Sequence, residues 1–190
     1  MEIDMDEVEA FFRTFPELDR GKKKLDGMTC MHVAAIRNAP GVMQWFLSQP
    51  GGRESLNIGV GDEADATPML WALTNAGWAA AEWLHEQGVD WAKDDYIFKM
   101  AAGGKVPAIR FLVGKGIDLN ARCNGGRSLL HVAAINGQIE AIKWLVEKQG
   151  QDIRVVDDRG LTPLDQARKA DNPAEVVEWL TAWQRKAERR

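Results

Sequence analysis

The sequence predicts an all-α-dominated repeat solenoid. About five pairs of short antiparallel helices alternate with short β-hairpin or loop fingers, between N- and C-terminal capping helices. Three observations carry this. The first is a recurring pattern. Arg127-Ser-Leu-Leu-His131-Val-Ala-Ala-Ile-Asn-Gly137-Gln-Ile-Glu-Ala-Ile-Lys-Trp144-Leu-Val reads as two amphipathic helices broken at Asn136-Gly137, and further copies begin at Met28, Ala66, Tyr96 and Asp158. The second is spacing: the first small residue of each Ala-rich stretch falls at Ala34, Ala72, Ala101, Ala133 and Ala167, in steps of 38, 29, 32 and 34 residues. A unit of that size cannot bury its apolar face alone, so neighbours must stack. The third is an aromatic position in each second helix, Trp45, Trp83, Phe111, Trp144 and Trp179, which reads as a packing stripe.

Thr162-Pro-Leu-Asp-Gln-Ala167 carries the fullest box, Thr67-Pro68 opens an earlier one, and His32 and His131 stand at the fourth box position in two others. This pattern resembles the ankyrin repeat, a unit of about 33 residues made of a hairpin and two helices. The resemblance implies a repeat domain at 25–183 with units near 25–58, 62–92, 93–120, 123–154 and 157–183. Residues 1–24 form a capping helix and basic loop before it, and 184–190 a charged tail after it. It also implies that His32 and His131 are structural, bonding backbone groups of neighbouring turns.

Taken in order, Met5, Val8, Phe11, Phe12 and Phe15 recur every three or four residues up to Pro16 and predict the N-terminal capping helix. The basic stretch Arg20, Lys22, Lys23, Lys24 reads as a solvated loop. Thr29 is a helix cap by its hydroxyl, while Cys30 stands where the box has proline. Residues 48–55 are about five longer than the equivalent in the fourth unit and read as a lengthened surface loop. Asp90 lies 11 residues before Ala101, whereas Asp118 and Asp152 lie 15 before Ala133 and Ala167. The finger between the second and third units is therefore expected to be truncated, with Gly103-Gly104 shortening the next turn. Ile117-Asp118-Leu119-Asn120 reads as a finger stem, and Cys123-Asn-Gly-Gly126 as its turn, with positive φ from Asn-Gly. A last helix starting near Asp171-Asn-Pro173 presents Trp179, Leu180 and Trp183 to the end of the core.

The chain has 190 residues, a formal net charge of −4 and a pI near 5.5, which gives no general affinity for phosphate backbones and argues against a nucleic-acid partner. The acidic start Met1-Glu-Ile-Asp-Met-Asp-Glu is unlike a signal peptide, and no apolar run reaches the roughly 20 residues of a membrane span. The expected location is cytoplasmic or nuclear. Cys30 and Cys123, in the first and fourth units with two whole units between them, are expected to be reduced thiols.

Tests for chemistry exclude catalysis, cofactor and metal. Cys30 and His32, two apart on a helix, point to different sides and make no nucleophile–base pair. Gly59-Val-Gly61-Asp-Glu-Ala64 matches a dinucleotide fingerprint only loosely and carries two acids that repel phosphate. The sequence therefore predicts a non-enzymatic protein–protein interaction module, an adaptor, assembly chaperone or inhibitor, monomeric when free. The alternative is a structural subunit fixed in a larger complex. The resemblance places partner binding on the concave face, at finger tips and first-helix ends. By box matching these positions are Met28, Ala66, Asn124, Arg127, Arg159 and Leu161 on or beside the fingers, with Glu63 beside them, and Ile36, Arg37, Thr74, Asn75, Ile135, Asn136, Arg168 and Lys169 at helix ends. Isoleucines ringed by arginines suit an acidic partner segment with some apolar side chains; the alternative is that Ile36 and Ile135 pack between neighbouring first helices.

Overall fold

Four helix pairs among the described residues turn through a three-residue connection of one geometry. In the computed structural model, which describes residues 3–16, 18, 28–57, 66–92, 95–170 and 174–188, eleven α-helices follow in order. They are α1 (Met5–Thr14), α2 (Cys30–Ile36), α3 (Pro40–Leu47), α4 (Pro68–Thr74), α5 (Trp78–Glu86), α6 (Tyr96–Ala102), α7 (Val106–Gly114), α8 (Leu129–Ile135), α9 (Ile139–Lys143), α10 (Pro163–Lys169) and α11 (Ala174–Glu188). The chain groups into two compact units, residues 1–94 and 95–190, and the division falls at the shortened segment after Asp90.

The first helices α2, α4, α6, α8 and α10 all have seven residues, and each carries a buried alanine. Ala34, Ala72, Ala101, Ala133 and Ala167 are at most 1% exposed. After α2, α4, α6 and α8 the chain turns through a left-handed residue: Asn38 (φ 54°), Ala76 (58°), Gly104 (66°) and Gly137 (69°). The next residue then donates its N–H back to the alanine turn, in the bonds Ala39 to Ala34 (2.9 Å), Gly77 to Ala72 (2.8 Å), Lys105 to Met100 (2.8 Å) and Gln138 to Ala133 (2.9 Å). This closure satisfies the last helical carbonyls. Gly103-Gly104 does not shorten its turn, contrary to the sequence expectation: Gly103 caps α6, Gly104 takes the left-handed place, and three residues separate the helices as they do after α2, α4 and α8.

Asn38 offsets its left-handed strain by accepting the Ala80 N–H at 2.9 Å, so it also joins the first pair to the second. Ala76 has no side chain with which to do so. Ala76→Gly should therefore raise stability by about 1 kcal/mol, the strain of a left-handed non-glycine residue. A rise in the urea midpoint at unchanged slope checks this; no rise would mean that the turn carries no strain.

In the first unit α1 starts at Asp4, whose Oδ1 accepts from Asp6 and Glu7 N–H at 2.9 and 3.3 Å. Val8 and Phe11 are buried, and Phe12 meets Trp45 of α3 edge-on at 5.3 Å. Met5 is 47% exposed, so the apolar face begins one turn later than its spacing suggests. The expected surface loop at 48–55 is partly internal: a 3₁₀ turn spans Arg53–Asn57, Leu56 is 5% exposed, and Gly52 is buried against the backbone of Phe46 and Leu47.

The aromatic stripe divides between the units. Trp45 and Trp83 are buried, whereas Phe111, Trp144 and Trp179 are half-buried. At Trp144–Lys148 the second helix of the fourth pair widens from α9 into a π turn. The last helix continues to Glu188, past the expected start of the tail at Gln184, with Trp179 and Trp183 stacked at 5.1 Å. The basic stretch at 20–24, Gly59–Ala64 with Glu63, and Asp171-Asn-Pro173 lie outside the described residues.

Candidate functional site

Aspartate closes a local turn after α5 and ahead of both described fingers. Asp90, Asp118 and Asp152 each accept the backbone N–H two residues on, from Ala92 (2.9 Å), Asn120 (2.8 Å) and Arg154 (2.9 Å). Such a side-chain bond closes a local turn. Leu119-Asn120 consequently lies in a turn and not in an extended stem, because Ala121 N–H also returns to Asp118 O at 3.1 Å.

Two fingers follow, at residues 123–127 and 157–161, both in the second unit. In the first, Cys123 N–H donates to Arg127 O and Gly126 N–H to Cys123 O, each at 3.0 Å. Positive φ is carried by Gly125 (81°) and Gly126 (68°), not by Asn124. The turn is thus of the kind that requires glycine at its third place. In the second, Asp157 N–H donates to Leu161 O at 3.0 Å. The Asp157 side chain organises the rest: Oδ1 accepts from Arg159 and Leu161 N–H at 2.9 Å each, and Oδ2 accepts from Gln166 of α10. These bonds, the one from Leu161 foremost, hold its carboxyl below the usual carboxylate range.

The fingers are tied to each other. Asp158 N–H donates to Gly125 O at 3.0 Å, and Arg122 spans both by donating to Gly126 O (2.7 Å) and Val156 O (2.9 Å). Below them lies His131, fully buried. Ser128 N–H donates to its Nδ1 at 3.2 Å, so Nδ1 bears the lone pair and Nε2 the proton. Nε2–H then donates to Leu161 O at 2.9 Å. His32 does the same in the first unit, taking Thr29 N–H at 3.1 Å and donating to Ala66 O at 3.1 Å. Both imidazoles are structural, in the manner the resemblance implies.

Between the two fingers is a cavity of about 290 Å³ lined by Asn124, Gly125, Arg127, Asp157, Arg159 and Gln166. Three residues singled out in the sequence, Asn124, Arg127 and Arg159, meet there. Gly125, Asp157 and Gln166 complete the lining and were not foreseen. The signal for Asp157 was present: an aspartate four before the residue preceding the helix cap Thr162 suits a side-chain-closed turn.

The other candidates lie elsewhere. Ala66 is 6% exposed and is corrected from contact residue to structural residue. In register with Arg127 and Leu161, it lends its carbonyl to a histidine. Ile36, Thr74, Ile135 and Leu161 are half-buried, as is Met28. Arg37 is exposed but lies over the Phe15 ring at 5.1 Å, and Asn75 and Asn136 turn their amides back on Trp71 O and Val132 O, both at 2.8 Å. Arg168 and Lys169 are exposed at the end of α10. A second cleft of about 340 Å³, lined by Val106, Glu140, Lys143, Trp144, Glu147 and Lys148, sits at the π turn and balances two lysines against two glutamates.

Burial lowers the His131 pKa by disfavouring the charged imidazolium, and the opposing bond to the Leu161 carbonyl only partly offsets this. The unfolded chain therefore binds a proton that the folded one refuses. Stability should be complete above about pH 6.5 and decline as the pH falls towards the folded value, by at most about 1.4 kcal/mol per pH unit for one proton. A second decline should follow below about pH 4. There the carboxylates of Asp152, Asp157 and Asp165, all lowered by hydrogen bonds in the folded state, take up protons. Urea midpoints at pH 7.5, 5.5 and 3.5 check both steps; a flat response from 7.5 to 5.5 would contradict the first.

Cys123 is half-buried, and burial pushes its thiol up, away from an activated nucleophile. Among the described residues no group of three or more His, Cys, Asp or Glu could hold a metal ion, and no helix is long and apolar enough to cross a membrane.

Comparison with known proteins agrees with this geometry. Residues 97–188 match the family model for ankyrin repeats, in three copies. The chain is 37% identical to "Putative glutaminase 2" of Caenorhabditis elegans over 84 residues, 43% of this chain and 14% of that protein. It is 34% identical to "Potassium channel KOR2" of Oryza sativa subsp. japonica over 77 residues, 40% and 11% of the two chains. Against "Rabankyrin-5" of Mus musculus it is 28% identical over 158 residues, 83% of this chain but 11% of that one. The chain thus spans about an eighth of the length of these relatives, which carry quite different names. Repeated seven-residue first helices, paired fingers and bridging histidines accord with the match over 97–188, which shows that this part of the chain consists of ankyrin repeats.

Proposed function

We propose that the chain is a non-enzymatic protein–protein interaction module, an adaptor, assembly chaperone or inhibitor that holds one partner through its fingers and first-helix ends. The observation that carries this reading is the finger pair of the second unit. It is a rigid polar cavity bracketed by Arg127 and Arg159, with Ile135 and Leu161 half-exposed in the same unit and Arg168 and Lys169 exposed at the end of α10. Such a mixture of basic and apolar groups suits an acidic segment with apolar side chains. The groups that could have served catalysis are already engaged. Both nitrogens of His131 and both oxygens of Asp157 are hydrogen-bonded within the fold, so these two groups serve the structure of the finger pair.

Affinity capture from an extract of the source cells tests this, comparing the wild type with Arg159→Glu and Ile135→Asp. The expected result is a protein held by the wild type and lost with either variant while the melting curve is kept. If every captured protein stays with both folded variants, the fingers and α8 are not the binding surface and the reading fails.

A further inference from the structure

We propose that the cavity between the two fingers is a receptor for a single carboxylate, the side chain of a glutamate or aspartate in an extended partner segment. This rests on the binding-module reading and names what the module grips. Sequence alone offers five basic candidates, Arg37, Arg127, Arg159, Arg168 and Lys169. The structure reduces them to two. Arg37 is laid over Phe15, and Arg168 and Lys169 stand at the end of α10 outside the cavity lining. Arg127 and Arg159 share that lining.

The two arginines are set differently. Arg127 is held by a bond from its Nε to Asn124 O at 3.0 Å, which fixes the plane of the guanidinium and leaves its terminal nitrogens without a bond among the described residues. Arg159 is exposed, and among the described residues its side chain makes no hydrogen bond, although its backbone is pinned by Asp157. A planar guanidinium with unused parallel N–H groups matches the geometry of a carboxylate, and pre-setting it lowers the entropy lost on binding.

Charge sets the number of anions. Arg127 and Arg159 bring two positive charges, and Asp157 in the same lining brings one negative, which leaves one positive charge for the occupant. Asp157 makes no hydrogen bond to either guanidinium; its carboxylate accepts instead from Arg159 N–H, Leu161 N–H and Gln166. It repels a dianion twice as strongly as a monoanion and so offsets part of the arginines' pull on a phosphate, while a single carboxylate is enough to bring the lining to neutrality. The lining holds no apolar side chain, so an aliphatic anchor would strip water from polar groups and return nothing. With room for more than one side chain, the cavity takes the carboxylate together with adjoining peptide.

The test is nuclear magnetic resonance on the ¹⁵N-labelled full chain, titrated with three blocked tripeptides, acetyl-Leu-Glu-Leu-amide and the same peptide with glutamine or phosphoserine at the centre. With the glutamate peptide, shifts should concentrate at residues 124–127 and 157–161 and at the two arginine Nε–H groups. Arg159→Gln should weaken binding about tenfold, as expected for loss of a charge-assisted bond. Arg127→Lys should weaken it too, because the charge stays while the fork is lost. Unchanged spectra elsewhere will show that the variants are folded.

Equal response to the glutamine peptide, or no response to the glutamate peptide at millimolar concentration, overturns the proposal. So does tighter binding of the phosphoserine peptide, which would make this a phosphate site, and so do shifts centred on Arg168 and Lys169. A partner captured from extract that survives Arg159→Gln but is lost with Ile135→Asp removes the carboxylate receptor and leaves the binding module standing.

Discussion

His131→Ala should destabilise the chain by about 3 kcal/mol, which is a large share of the stability of a domain this size. The imidazole is fully buried and joins three elements: the cap of α8 through Ser128, α8 itself, and the next finger through Leu161 O. Removing it leaves an N–H and a carbonyl in a place that water reaches poorly, at about 1–3 kcal/mol each, and opens a cavity beneath the fingers. The fifth pair separates the two parts of this role. There Asp165 stands in the same box position and caps α10, accepting Thr162 N–H at 3.0 Å and Thr162 Oγ1–H at 2.7 Å. Its carboxylate performs the local task alone. His131→Asn should accordingly fall between wild type and His131→Ala, since a short amide can take the Ser128 N–H but cannot reach Leu161. Urea denaturation at pH 7.5 should show the alanine variant's midpoint lowered by more than about 1 M. A loss under about 1 kcal/mol would mean that the bridge orders the finger without stabilising the fold.

The repeat was legible because its constraints are local. Ala34, Ala72, Ala101, Ala133 and Ala167 must be small wherever two helices meet, and Asn136-Gly137 marks a left-handed turn that few residues tolerate. Exposure was less legible. Met28, Ala66, Arg127 and Leu161 share one register, and at two of those places, Ala66 and Leu161, the carbonyl binds a histidine. The backbone task is the same while the side chain is free to be buried or exposed, so the sequence could not separate Ala66 from Arg127. The loop at 48–55 departs from its surface reading for the opposite reason: Pro50, Gly51 and Gly52 suggest a surface turn, yet Gly52 is buried and the chain runs on into a 3₁₀ turn at Arg53–Asn57. The cavity was hidden because it depends on bonds across some 30 residues, from Arg122 to Val156 and from Gly125 to Asp158. Positive charge can be counted in a sequence; that Arg127 and Arg159 face one space, and that Arg37 is laid over Phe15, cannot.

Gly126→Ala should cost about 2 kcal/mol or more and pull the two fingers apart. A residue with a Cβ at φ 68° is strained by about 1 kcal/mol in any surroundings. Here the added carbon would also come within 2.7 Å of the Asp158 carboxyl carbon and 3.0 Å of the Asp158 backbone nitrogen. The side chain of Asp158 can rotate away, but its N–H is the donor that joins the second finger to Gly125 O. Relief therefore requires that the fingers separate. Separation in turn weakens the hold of Arg122 on Gly126 O and Val156 O. Gly125→Ala is the matched control. Its φ of 81° imposes the same kind of strain, yet the nearest atom to its new Cβ is Arg127 Nε at 3.8 Å, an ordinary contact. Thermal melts of the two variants should thus differ by about 1 kcal/mol, with Gly126→Ala the worse. The glutamate peptide should lose its focused shifts at 157–161 in Gly126→Ala, because one arginine of the pair stands on each finger. Equal melts would show that the finger pair yields freely to a methyl group. In that case the cavity is not a rigid receptor, and the pre-set geometry on which carboxylate selectivity depends is absent.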